Sequence, residues 1–138
     1  MTPVSESRIR VRYAETDQMG VVYYANYLVW MEVGRCDLCR ACGFEYRDME
    51  REDGILLAVA EANCRYVSAA KFDDEVMVKT RVGSANRRVV TFEYEMWVAD
   101  RKVAEGYTKH LVLNREFQRT EMPAKYVEAL RGVIHCPE

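Results

Sequence analysis

The stretch YAETDQMGVVYYANY, residues 13–27, decides how the rest of the chain is to be read. It sets one carboxylate, Asp17, in a turn-forming segment just ahead of a long apolar run with helical character. The first turn of a helix leaves backbone N–H groups unpaired and carries the positive end of the helix dipole. Such a start can hold a developing negative charge while a neighbouring carboxylate attacks or activates water. A plainer reading stays open beside it: Asp17 caps the turn or the helix, and Gly20 supplies turn freedom.

Working outward, residues 8–14 alternate charged and apolar side chains through Arg8, Ile9, Arg10, Val11 and Arg12, the pattern of a strand with one wet face. Residues 23–42 contain no proline and only Gly34, and Gly43 stands where a helix would end on a left-handed residue. A helix of about five turns is predicted. Its first half, with Ala25, Tyr27, Leu28, Val29, Trp30, Met31 and Val33, is apolar nearly all round and is expected in the core. Glu32 with Arg35, and Asp37 with Arg40, are spaced to pair on an exposed side.

Residues 47–54 read as a charged loop. Four strands follow. Ala60, Ala62, Cys64 and Tyr66 form one apolar face, Val76, Val78, Thr80 and Val82 a second, and Val90, Phe92, Tyr94, Met96 and Val98 a third. Residues 99–102 make a tight connection into a last strand over 103–113, and an antiparallel meander is expected. After a polar loop, Pro123 stands at a favoured first helical position before AKYVEALRG. The chain is thus expected to be one α+β domain over residues 1–138, with an antiparallel sheet wrapped around one long central helix and a short C-terminal helix.

Composition excludes several function classes. A formal net charge of −2 argues against a nucleic-acid binder, so any anion site must be a local cluster. The chain has no apolar run of membrane-spanning length and no signal-like apolar segment at its start, which predicts a cytoplasmic protein. Five cysteines, an odd number, point to reduced thiols. Cys36, Cys39 and Cys42 spell CxxCxxC, but inside a predicted helix and with no fourth ligand nearby, so no metal site is expected. His110 and His135, the two histidines, are far apart, and no Ser, His and Asp triad is evident.

With this element order, RVRYAETDQMGVVYYANYLVWMEVGR resembles the hotdog-fold acyl-CoA thioesterases of the 4-hydroxybenzoyl-CoA thioesterase type, including their YbgC-like branch. The pattern YxxTDxxGxVYxxxY falls on Tyr13, Thr16, Asp17, Gly20, Val22, Tyr23 and Tyr27, and it is the most specific part of the match. The stretches CRYVSAAKFDDEVMV and MPAKYVEAL are similar to the family's second strand with its loop, and to its closing helix. The resemblance implies that Asp17 is the catalytic carboxylate, as nucleophile or as general base. It implies that the backbone N–H near Tyr24 polarises the thioester carbonyl, with Gly20 letting the backbone come close. Many YbgC-like members carry His where this chain has Tyr24, whereas 4-hydroxybenzoyl-CoA thioesterase is similar to this chain in having Tyr, so the device is expected to work without an imidazole. Tyr13, Val22 and Tyr27 are candidate acyl contacts, with core packing the default reading for the two tyrosines. The family places basic contacts for the coenzyme A phosphates at a turn like residues 83–88, which offers Arg87 and Arg88, with Lys71 a weaker candidate and a solvated charged hairpin the plain alternative. No cofactor is expected beyond the acyl-CoA substrate, whose acyl group is either aromatic or short-chain. A homodimer or a homotetramer built as a dimer of dimers, with sites at the interface, is implied. The alternatives are a non-catalytic protein that binds acyl-CoA or acyl carrier protein, and a hotdog hydratase, which would want a His paired with an acid. Glu32 is the fallback carboxylate.

Overall fold

The structure, a computed structural model, describes residues 5–134, so the expectations placed on His135 lie outside the described residues. Strand β1 spans Ser5–Arg10 and ends in a 3-10 turn, Tyr13–Glu15. Helix α1 is Asn26–Ala41, and a second helix, α2, is Tyr46–Asp53. Strands β2 (Leu56–Tyr66), β3 (Glu75–Ala85), β4 (Val89–Val98) and β5 (Arg101–Leu113) follow, and helix α3, Ala124–Ile134, closes the described chain.

The sheet is antiparallel in the order β1-β3-β4-β5-β2. Only β3, β4 and β5 form the expected meander. β2 pairs with β5 rather than with β3, so it lies at the far edge and the chain must cross the sheet to begin β3. Period-2 alternation fixes which face is inward: Val90, Phe92, Tyr94 and Met96 are buried on β4, and Val76, Val78, Thr80 and Val82 on β3. α1 lies on that face, packed chiefly against β1 and β3. This is the helix-in-sheet arrangement that the hotdog resemblance implies. Gly34 makes the approach close, because a Cβ there would collide with the Thr80 hydroxyl.

Three expectations need correction. α1 is not buried all round: Tyr27, Trp30, Met31, Leu38 and Cys39 face the sheet, while Leu28, Val29 and Val33 are 40%, 51% and 40% exposed. The inward face runs as far as Cys39, so the helix lies along the core rather than leaving it. Residues 46–53 form α2 instead of a loop. Tyr46 and Met49 give it a narrow apolar side, an Asp48–Arg51 pair sits at i,i+3, and Gly54 caps it in the left-handed region at φ 65°. Finally, Arg35 does not pair with Glu32. It turns under the helix into a half-buried position, whereas Asp37 and Arg40 do pair at 3.0 Å.

Candidate active site

The loop that carries Asp17 is a small hairpin. Thr16 and Val22 form an antiparallel bridge, the Asp17 N–H donates to Val21 O at 2.9 Å, and the Gly20 N–H donates to Asp17 O at 2.9 Å. Gly20 takes φ 82°, a value that favours glycine. Asp17 Oδ1 accepts the Met19 N–H at 2.9 Å, which fixes the carboxylate in an Asx turn. Among the described residues Asp17 Oδ2 has no hydrogen-bond partner, so one oxygen is held and the other is open.

The hairpin closes where the chain enters α1. The Tyr23 N–H donates to Glu15 O at 2.8 Å, and Asn26 Nδ2 donates to the same oxygen at 2.9 Å. The turn over residues 23–25 then starts the helix, with the Asn26, Tyr27 and Leu28 N–H groups donating to Tyr23, Tyr24 and Ala25 carbonyls. Two donors remain: among the described residues, neither the Tyr24 N–H nor the Ala25 N–H has a protein acceptor. They sit at the positive end of the α1 dipole, beside the Asp17 hairpin.

Glu15 holds these pieces together, and the sequence reading missed it. Its side chain is 5% exposed and accepts the Arg12 N–H at 2.9 Å, the Trp30 indole N–H at 3.0 Å and the Arg12 guanidinium at 3.4 Å. Burial pushes its carboxyl up, but the Arg12 backbone N–H, the Trp30 indole and the Arg12 guanidinium outweigh it and hold the pKa below the ordinary value. The pattern Arg12-x-x-Glu15 with a tryptophan fifteen residues on was the only available signal.

An aromatic cluster lines the helix start. The Tyr24 ring packs on Tyr23 with centroids 4.7 Å apart and edge-on against Tyr66 at 6.3 Å, and Tyr66 also meets Tyr27 at 5.1 Å. The Tyr66 hydroxyl donates to Tyr24 O at 3.0 Å. Tyr24 is 61% exposed, whereas Tyr27 is buried and its hydroxyl accepts the Ala70 N–H at 3.4 Å. Val22 is buried too, its N–H bonded to Ala70 O at 2.9 Å, while Tyr13 stands exposed in edge contact with Phe72. Asp17, Gly20, Val22, Tyr24 and Tyr27 are thus brought together.

Of the candidate cations, Lys71 adjoins this cluster, following Ala70, whereas Arg87 and Arg88 do not. Lys71 is exposed in the turn before β3, its N–H donating to Asp74 Oδ2 at 2.9 Å. Arg87 and Arg88 lie at the β3–β4 turn. Arg87 Nε donates to Met122 O at 2.8 Å, which ties the turn to the segment before α3, and Arg88 is exposed beside Glu121 at 3.6 Å.

The model of the family described as the Thioesterase superfamily matches residues 19–105, more than half of the chain. The Bacillus subtilis protein YneP, provisionally named an acyl-CoA thioesterase, is 40% identical over 114 residues that make up 82% of each chain. A hypothetical protein of Thermus thermophilus, TT1821, superposes with a TM-score of 0.89 at 34% identity, covering 96% of this chain and 98% of that one. The DHNA-CoA thioesterase of Staphylococcus aureus superposes with a TM-score of 0.81 at 34% identity, covering 85% of this chain and 79% of that one. On the family match and these relatives, the chain belongs to the thioesterase superfamily and is a thioester hydrolase.

Proposed function

We propose that the protein is an acyl-CoA thioesterase in which Asp17 drives hydrolysis and the Tyr24 and Ala25 N–H groups form the oxyanion hole. The observation that carries this is the pairing of a carboxylate having one open oxygen with two unspent N–H donors at the start of α1. As general base, Asp17 takes a proton from water, whose oxygen adds to the thioester carbon; the oxyanion accepts from the two N–H groups. Collapse expels the coenzyme A thiolate, which takes up a proton, and frees the acid. As nucleophile, Asp17 instead adds to the carbon itself, the C–S bond breaks to release the coenzyme A thiolate and leave a mixed anhydride, and water then cleaves that anhydride to the acid and free Asp17. Heavy-oxygen label accumulating in the Asp17 side chain over repeated turnover marks the second route.

The acyl group we favour is aromatic. Tyr23, Tyr24 and Tyr66 offer ring faces beside the proposed oxyanion donors, and a 34% identical neighbour is named a DHNA-CoA thioesterase. Short aliphatic acyl groups are the competing class, and an acyl-carrier-protein thioester is the competing carrier. Arg88, exposed at the β3–β4 turn, is the cation we assign to the coenzyme A phosphates, with Arg87 positioning the turn.

The working unit we infer is a homodimer. The edge strand β2 is long and largely uncovered, with Val59 52% exposed, and Leu28, Val29 and Val33 add an uncovered apolar stripe on α1. Thiol release from a panel of benzoyl-type and short-chain acyl-CoAs, for wild type and Asp17→Asn, tests the function. Equal rates would remove Asp17 from its role, and tight binding without turnover on any thioester would favour a non-catalytic acyl-binding protein.

A further inference from the structure

A cavity of about 440 Å³ opens between α1, α2 and the start of β2, and the proposed thioester chemistry does not use it. Its size is that of an ordinary small-molecule site. Three arginines line it, and they are not equivalent. Arg40 is paired with Asp37 at 3.0 Å and Glu45 at 3.4 Å, and Arg47 with Glu45 at 3.1 Å and Asp48 at 3.9 Å. Arg35 has no carboxylate within 4 Å among the described residues. It is half-buried, and a guanidinium cannot shed its charge to relieve this.

The polar groups around Arg35 are also unspent. Its Nε and the Tyr46 hydroxyl are both sealed from solvent without a hydrogen-bond partner among the described residues, and the groups that favour the Arg35 charge are the phenols of Tyr94 and Tyr46 rather than a carboxylate. Buried polar groups left unmatched cost stability and call for an explanation. Behind them the core is satisfied: Tyr94 is bonded to Thr108, and Thr108 to His110. Leu57 and Cys36 supply less polar wall on the same cavity.

We propose that this cavity is a second binding site, for a small organic monocarboxylate, held by the Arg35 guanidinium fork with Tyr46 as the neighbouring donor. The charge count selects a monoanion. Arg35 is the lining arginine without a carboxylate partner among the described residues, and Glu32 and Glu50, also in the lining, oppose negative charge about twice as strongly for a dianion as for a monoanion. The planar fork fits two carboxylate oxygens at once. A ligand of this class has two sources in a thioester hydrolase: the acid released by the reaction, or a carboxylate carried on the acyl chain itself.

Calorimetric titration of the full-length protein with benzoate and butyrate, and with inorganic phosphate as control, tests the site without turnover. Saturable binding of at least one acid is expected, with no binding of phosphate. Arg35→Gln is expected to weaken it by about tenfold to a hundredfold, the worth of a charged hydrogen bond. Arg35→Lys, which keeps the charge if the Gln variant folds poorly, is expected to lose several-fold, and Asp17→Asn nothing. That last arm separates this proposal, which rests on the thioesterase reading only for the source of the acid, from that reading, since binding must survive Asp17→Asn whether or not catalysis depends on Asp17. A selective fall in kcat/KM for an acyl-CoA bearing a terminal carboxylate, in Arg35→Gln but not for butyryl-CoA, assigns the carboxylate to the acyl chain; unchanged ratios assign it to the free acid. The proposal is overturned if wild type binds neither acid and shows no Arg35-dependent preference, or if Arg35→Gln and Arg35→Lys bind as wild type does.

Discussion

The two ends of α1 solve the problem of polar groups in opposite ways. At its start, residues 13–26 build a loop from backbone hydrogen bonds around one buried carboxylate, Glu15, and leave donors facing out. Past its middle, Arg35, Tyr46, Tyr94, Thr108 and His110 gather side chains from α1, α2, β4 and β5. The first region is local in sequence and held by an anion; the second is non-local and carries an uncompensated cation. Local construction suits chemistry at a fixed point, because only a short, hydrogen-bonded stretch of chain lies between Asp17 and the N–H groups proposed to act with it.

The strongest way to break this comparison is Asp17→Asn. Asn keeps an Oδ1 to accept the Met19 N–H, so the hairpin is retained while the proposed base or nucleophile is lost. We expect kcat to fall on the order of a thousandfold, about 4 kcal/mol of barrier, with the melting temperature unchanged. An equal loss of stability would mean that Asp17 only caps the turn.

Glu15→Ala should do the reverse, acting on structure first. It strips acceptors from the buried Trp30 indole N–H and from the Arg12 N–H, a loss of about 3 to 4 kcal/mol in denaturant unfolding. The lowered Glu15 pKa fixes the sign of its pH effect: its contribution is present above 4.5, the ordinary value, and is lost as pH falls through the folded value. Activity should fall with it, because the same residue's carbonyl holds Tyr23 and Asn26.

Much of the first region could be read from the chain, and little of the second. The motif over residues 13–27 names Asp17, Gly20 and Tyr24 in one stretch, and alternation places β3 and β4. Pairing β2 with β5 instead of β3 leaves no trace in periodicity, since either neighbour accepts the same apolar face. α2 escaped for a different reason. Eight mostly charged residues with one buried side chain, Met49, give too weak a period to separate from a loop. Arg35 looked like an exposed partner for Glu32 because helical spacing allows the pair, and only the packing of α2 shows it turned inward.

His110 offers a pH test of the second region, at a different window from Glu15. Burial, with the Arg35 charge adding to it, lowers its pKa to about 4 from 6.5. The hydrogen bonds agree with a neutral ring: Nε2 accepts from the Thr108 hydroxyl at 2.9 Å while Nδ1 donates to Leu57 O at 3.3 Å. The unfolded chain takes up the proton first, so stability is lost as pH falls from about 6.5 to about 4, by about 3 kcal/mol. His110→Gln should flatten the unfolding free energy across that window, whatever its cost at neutral pH. A slope as steep as wild type would show that the loss comes from other groups.

The smallest expected effect sharpens the first region. The Tyr66 hydroxyl donates to Tyr24 O, and that carbonyl shares a peptide unit with the Ala25 N–H, so Tyr66 fixes the plane of one proposed oxyanion donor from β2. A donor on the oxygen also polarises the N–H of the same peptide. Burial, helped by Cys64, pushes the Tyr66 phenol up to about 12, so it stays protonated and donating through the working range. Tyr66→Phe keeps the ring against Tyr24 and Tyr27 and removes this bond together with the hydroxyl's contact to Cys64. About 1 kcal/mol is at stake, which should appear as a several-fold fall in kcat with KM and melting temperature nearly unchanged. A rise in KM with kcat intact would place Tyr66 against the acyl group instead, and would leave the Ala25 donor held by the helix start alone.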